Sequence, residues 1–198
     1  MFEIFCVTNR RLCREDFFVR VEKIAACRPT AIILREKDLS PEEYSRLAEL
    51  VIDICAAYDV PCILHQNFRV AIKLGVRRIH LPLPVLREMT AADKKFFDVL
   101  GVSCHSLDEL HAAQNFGCTY ATAGHVFATD CKKNLEPRGI NFLTKLNNAA
   151  QVPIYAIGGI NAENVFQVKS AGVRGACIMS GFMACEDVAR FMADLRGE

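Results

Sequence analysis

Short apolar or β-branched runs alternate with stretches of helical period along the whole chain. The runs Phe2–Thr8, Ala31–Arg35, Cys62–His65, Arg78–Leu81, Val99–Cys104, Tyr120–Gly124, Ile154–Ile157 and Ala176–Met179 predict strands. Between them, apolar positions three and four apart predict helices over Phe17–Cys27, Ser40–Tyr58, Phe68–Leu74, Thr90–Lys95, Leu107–Phe116, Phe142–Ala149, Ala162–Ala171 and Asp187–Leu195. The punctuation agrees with this reading. Ser40-Pro41-Glu42-Glu43 supplies an N-cap, a proline at the first helical position and a capping acid, and Gly75 and Gly117 close two of the helices.

Eight strand–helix units in regular alternation require parallel strands and right-handed crossovers. Closure into a (β/α)8 TIM barrel leaves no sheet edge and is the expected architecture, with an open doubly wound sheet as the alternative. A chain of 198 residues is short for a barrel, so residues 1–198 are expected to form one domain with tight loops.

Barrel proteins place their chemistry at the C-terminal ends of the strands and often hold phosphate after strands seven and eight. The seventh run ends in Ile157-Gly158-Gly159-Ile160-Asn161 and is expected to pass straight into a helix, whose N-terminus with two permissive glycines would suit an anion. The eighth ends in Met179-Ser180-Gly181. After strand two, Arg35 and Lys37 stand two apart and point the same way in an extended segment, which suits an anionic ligand or a solvated strand end paired with Glu36 and Asp38.

Among the five histidines, His125 is the sharpest candidate. It follows Gly124 and opens a loop carrying Asp130, Lys132 and Lys133, and a neutral imidazole there suits proton transfer. His80 reads as a packing residue, His105 as a helix-entry residue and His111 as surface. No Asp or Glu stands at the end of strand three, four or five, where a magnesium–diphosphate site would gather carboxylates. No metal and no cofactor is therefore expected.

Composition narrows the field. Twenty-four Lys and Arg against 23 Asp and Glu leave a net charge of +1, which gives no basic face for nucleic acid. At 52% apolar residues the chain can fill a core, and no uncharged run is long enough to span a membrane. The opening residues, acidic at Glu3, predict no export signal, so the ten cysteines are expected to be reduced thiols in a cytoplasmic protein. A homo-oligomer is left open on general grounds.

These loops, in this order, resemble the thiamine phosphate synthase superfamily from end to end. The matching pieces are Leu34-Arg35-Glu36-Lys37, His65-Gln66-Asn67-Phe68-Arg69-Val70-Ala71, Ile79-His80-Leu81, Gly101-Val102-Ser103-Cys104-His105-Ser106, Gly124 to Lys133, and Ala156-Ile157-Gly158-Gly159-Ile160. The synthase branch carries Asn-Asp where this chain has His65-Gln66, and a second metal-binding Asp near Pro82-Leu83-Pro84. Its Gln before Leu34-Arg35 is Ile33 here, and its Thr-x-Thr-Lys reads Thr129-Asp130-Cys131-Lys132.

Gly124-His125-Val126-Phe127-Ala128-Thr129-Asp130-Cys131-Lys132-Lys133 is similar instead to the signature of the thiazole tautomerase (TenI) branch. That resemblance implies an isomerase that aromatises a carboxythiazole phosphate in thiamine biosynthesis. His125 would be the acid/base, and Gly158, Gly159, Met179 and Ser180 would hold phosphate with Thr129 nearby. Arg35, Lys37, Ser103 and Lys132 complete the expected substrate contacts. The ligand implied is a small thiazole phosphate, with no nucleic acid or membrane partner. The alternatives are a magnesium-dependent synthase and a ligand-binding homologue without turnover.

Overall fold

A computed structural model describes residues 2–129 and 135–198. Eight parallel strands close on themselves in sequence order: β1 (Glu3–Val7), β2 (Ala31–Leu34), β3 (Cys62–His65), β4 (Arg78–Pro82), β5 (Val99–Cys104), β6 (Tyr120–Gly124), β7 (Ile154–Ile157) and β8 (Gly175–Ile178). The pairing of Glu3–Cys6 with Gly175–Ile178 joins first strand to last and removes the open-sheet alternative. With every strand paired on both sides, no backbone edge is left to satisfy.

The helices are α1 (Phe17–Ala26), α2 (Pro41–Ala57), α3 (Phe68–Lys73), α4 (Leu83–Glu88), α5 (Ala91–Phe96), α6 (Leu107–Asn115), α7 (Gly139–Ala149), α8 (Val165–Ser170), α9 (Ser180–Ala184) and α10 (Val188–Arg196). Ser40 and Glu43 close the capping box that starts α2, as the sequence predicts. Two short helices, α4 and α9, follow strands directly and have no counterpart in the sequence pattern. Pro84 sits within the first turn of α4, where its missing N–H has no helical partner to lose.

Strand alternation divides the apolar residues in two. Ile4, Cys6, Ile32, Leu34, Leu64, Ile79 and Leu81 pack outward against the helices in the main core. Phe5, Val7, Ile33, Ile63, Tyr120, Tyr155 and Cys177 form a separate cluster inside the barrel. The Phe5 and Tyr155 rings stack with centroids 4.4 Å apart, and the Tyr120 ring meets both edge-on, plugging the barrel below its C-terminal mouth. Gly101 makes the plug fit, because a Cβ there would run into the Tyr120 ring.

The upper interior is uneven. On β3 to β6 it carries His65, His80, Ser103 and Thr122, whereas Ile157, Cys177, Val7 and Ile33 face it from β7, β8, β1 and β2. Tyr44 of α2, 1% exposed, stitches the polar side: its hydroxyl donates to the Leu34 carbonyl at 2.7 Å and accepts from the His65 N–H at 2.9 Å.

All nine described cysteines are free thiols, and none of the described helices is long and apolar enough to cross a membrane.

Candidate active site

At the C-terminal mouth of the barrel lies a cavity of about 260 Å³. Arg35 and Lys37 reach it from the end of β2, and Ser103 from β5. Gly124 and His125 line it after β6, Gly158 and Gly159 after β7, and Met179 and Ser180 after β8, with Thr129 on the β6 loop. Lys132 lies outside the described residues, as do Asp130, Cys131 and Lys133.

Glu36 explains how Arg35 and Lys37 come to face one wall. Its carboxylate, 1% exposed, is drawn behind the strand ends, where it accepts from Thr8 Oγ1 at 2.7 Å, the Arg10 N–H at 3.1 Å and Arg10 Nη1 at 3.1 Å. Thr8 Oγ1 in turn accepts from the Arg35 N–H at 2.9 Å. Asp38 is occupied by Arg10 and Arg11, at 2.6 and 2.8 Å. Glu36 and Asp38 are thus engaged with residues of the β1 loop, and Arg35 Nη1 meets Met179 Sδ at 3.9 Å.

Gly158 and Gly159 have left-handed backbones, with φ of 102° and 66°. A Cβ on Gly158 would overlap His125 Cβ, and one on Gly159 would overlap the Ala128 carbonyl. The Val126 and Phe127 N–H groups donate to the Ile157 and Gly158 carbonyls at 3.0 Å. These glycines therefore let the β6 and β7 loops lie flush as well as opening the cavity wall. The expected helix directly after them does not form. Residues 161–164 make a turn in which Asn161 Oδ1 caps the Glu163 and Asn164 N–H groups, and α8 starts only at Val165. Asn164 Nδ2 holds the Gly159 carbonyl at 2.9 Å, a local anchor the pattern of apolar positions does not show.

His125 is 5% exposed, and its Nε2 lies 3.1 Å from the Leu135 carbonyl. A carbonyl only accepts, so Nε2 is a donor in this contact and Nδ1 is the ring nitrogen left for another partner. His105 also lines the cavity; its Nδ1 donates to the Gly124 carbonyl at 2.8 Å, while its backbone N–H is held by Glu109 at the start of α6. His65 lines the cavity from the end of β3. Its imidazole is pushed down to about 2 by burial and then by His80, Arg35 and Lys37, so it is neutral at ordinary pH. The sequence passes over His65 and His105 as cavity residues. Their inward parity, His65 two past Ile63 and His105 two past Ser103, is the signal that would have found them.

The synthase branch of the resemblance, the alternative reading, implies a divalent metal, and the donor set does not fit one. The strand ends that would supply carboxylates present His65-Gln66-Asn67 and Pro82. Glu36 is spent on Thr8 and Arg10, and no group of three His, Cys, Asp or Glu among the described residues is placed to hold a metal.

Residues 4–182 match the family model described as thiamine monophosphate synthase, TMP-TENI. The chain belongs to this family. It is 30% identical over 200 residues to the thiamine-phosphate synthase of Clostridium tetani, covering 98% of this chain and 94% of that protein. It is 31% identical over 193 residues to the thiamine-phosphate synthase of Ruminiclostridium cellulolyticum, covering 94% and 90%. The solved thiamine phosphate pyrophosphorylase of Pyrococcus furiosus superposes with a TM-score of 0.84 at 26% identity, over 99% of this chain and 94% of that one.

For this member of the TMP-TENI family, the comparisons correct one expectation. The two clostridial relatives are named synthases, which are transferases, and that overturns the isomerase reading. The narrower assignment to the tautomerase branch rested on Gly124 to Lys133. A single loop signature reports how one loop is built, and one fold hosts several reactions.

Proposed function

We propose that this chain is a transferase of the thiamine-phosphate synthase type, joining a pyrimidine diphosphate to a thiazole phosphate with release of diphosphate. The observation that carries the reading is the gathering of anion-suited groups around one cavity. Arg35 and Lys37 reach it after β2 and the Gly158–Gly159 and Met179–Ser180 loops after β7 and β8, and the relatives that match end to end are named synthases.

In this arrangement the glycine loop and Ser180 hold the monophosphate, with Thr129 beside them. Arg35 and Lys37 hold the diphosphate and take up its charge as the carbon–oxygen bond breaks and the new carbon–nitrogen bond forms. Ser103, His105 and His125 line the same cavity, and the His125 Nε2 is engaged by the Leu135 carbonyl. Fixing both partners in one cavity supplies orientation, which by itself lowers the barrier of a two-substrate step.

The test is formation of thiamine phosphate from the two substrates by purified protein, followed with and without a chelator. A second reading, a ligand-binding homologue without turnover, is favoured by the missing metal carboxylates. It predicts that thiazole phosphate binds while no product appears.

A further inference from the structure

Below the cavity floor a line of buried polar groups runs through the barrel interior. His80 is 4% exposed and uses both ring nitrogens: Nδ1 lies 2.9 Å from Tyr120 Oη, and Nε2 lies 2.9 Å from Ser103 Oγ. Thr122, 1% exposed, brings Oγ1 to 3.4 Å from the same Ser103 oxygen. Of the four, Ser103 reaches the cavity wall.

Counting protons orders the chain. Tyr120 Oη has His80 as its hydrogen-bond partner, and a buried hydroxyl proton without an acceptor is costly. The Tyr120 hydroxyl therefore donates to Nδ1, the proton of the neutral ring sits on Nε2, and Nε2 donates to Ser103 Oγ. The opposite tautomer would turn the ring donor onto Tyr120 and leave its hydroxyl proton buried with nowhere to go. Thr122 must also donate, and Ser103 Oγ is its acceptor. Both lone pairs of Ser103 Oγ are then occupied, and its proton points to the one direction left, the cavity. Burial keeps the His80 ring neutral, with its pKa pushed down to about 3.

We infer that His80 is a positioning residue that fixes Ser103 as a hydrogen-bond donor to the bound molecule, so that the ligand atom over Ser103 must be an acceptor. A ring nitrogen, a carbonyl, a hydroxyl oxygen or a phosphate oxygen satisfies Ser103, and an N–H group that can only donate is rejected in that place. The ordering of the chain is independent of the function; its use on a thiazole phosphate rests on the reading above.

The experiment has two arms. Nitrogen-15 spectra of histidine-labelled protein at neutral pH report the tautomer of each ring, and His80 is expected to be protonated at Nε2. A ring protonated at Nδ1, or doubly protonated, overturns the inference, and this arm needs neither a ligand nor a variant. In the second arm, calorimetry measures aromatic thiazole phosphate binding to wild type, Ser103→Ala, Tyr120→Phe and the double variant. Each single change is expected to weaken binding about two- to tenfold, the scale of one neutral hydrogen bond. The double variant is expected to lose little more than Ser103→Ala, since both act through one hydroxyl. Full additivity, or unchanged affinity in Ser103→Ala, overturns the inference. A wild-type protein that does not bind the thiazole phosphate ends the ligand half together with the functional reading, while the histidine spectrum alone upholds or overturns the ordered chain.

Discussion

Gly158 lies so close to His125 that a Cβ on the glycine would occupy the space of the histidine's own Cβ. The β6 and β7 loops can share the cavity wall because one of them has no side chain at that point. Gly158→Ala must therefore move His125 or distort a backbone already at φ 102°. It is expected to cost about 2–4 kcal/mol, adding backbone strain to overpacking. Gly75, at φ 71° with no atom within 4 Å of where a Cβ would stand, isolates the backbone part, and Gly75→Ala is expected to cost about 1–2 kcal/mol. Urea unfolding of the two variants checks the difference; equal losses would remove the steric argument.

His65 and His80 make the fold acid-sensitive. Both are held neutral in the folded state, at about 2 and about 3, against an ordinary value of 6.5. Below pH 6.5 the unfolded chain takes up protons that the folded one refuses, so stability is full above that pH and falls as the pH drops. Each ring contributes a slope of about 1.4 kcal/mol per pH unit between about pH 6 and about pH 4. His80→Gln is expected to flatten the pH profile of unfolding free energy by one such slope.

Arg35 and Lys37 line the cavity, and Glu36 and Asp38 between and beside them are tied to Arg10 and Arg11. Arg35→Met is expected to weaken inorganic diphosphate binding about ten- to a hundredfold, the loss of one charge-assisted contact. Arg77→Met, just before β4 at the opposite end of the barrel, is expected to leave it unchanged. Titration calorimetry of both variants decides whether this wall binds an anion.

Tyr44 joins the ends of β2 and β3 through a single hydroxyl. Tyr44→Phe removes one oxygen and leaves the Leu34 carbonyl and the His65 N–H without that partner, with no cavity larger than the oxygen itself. A loss of about 1–3 kcal/mol is expected in denaturant unfolding.

The sequence reached the fold because alternation is a local property. Each strand's inward and outward faces, the Ser40–Glu43 capping box and the closing glycines act within a few residues. It failed at one local competition between side-chain and helical hydrogen bonds, and where the outcome depended on a partner distant in sequence. The helix expected after Gly159 was read from apolar spacing, but Asn161 and Asn164 capture that segment's N–H groups first and delay α8 to Val165. His105 was legible as a helix-entry residue, and Glu109 does hold its backbone; its ring turns to the Gly124 carbonyl across the next strand.

By itself, the chain determined the eight repeating units, the strand ends at which polar residues gather, and the family to which they belong. Only the tertiary structure decided which of those residues share a cavity and in what state. Barrel closure sets His80 between Tyr120 and Ser103, residues 40 and 23 positions away, and draws Glu36 off the cavity onto Thr8 and Arg10. Hydrogen-bond direction and charge pairing belong to neighbours in space, and those neighbours exist only after the first strand has met the last.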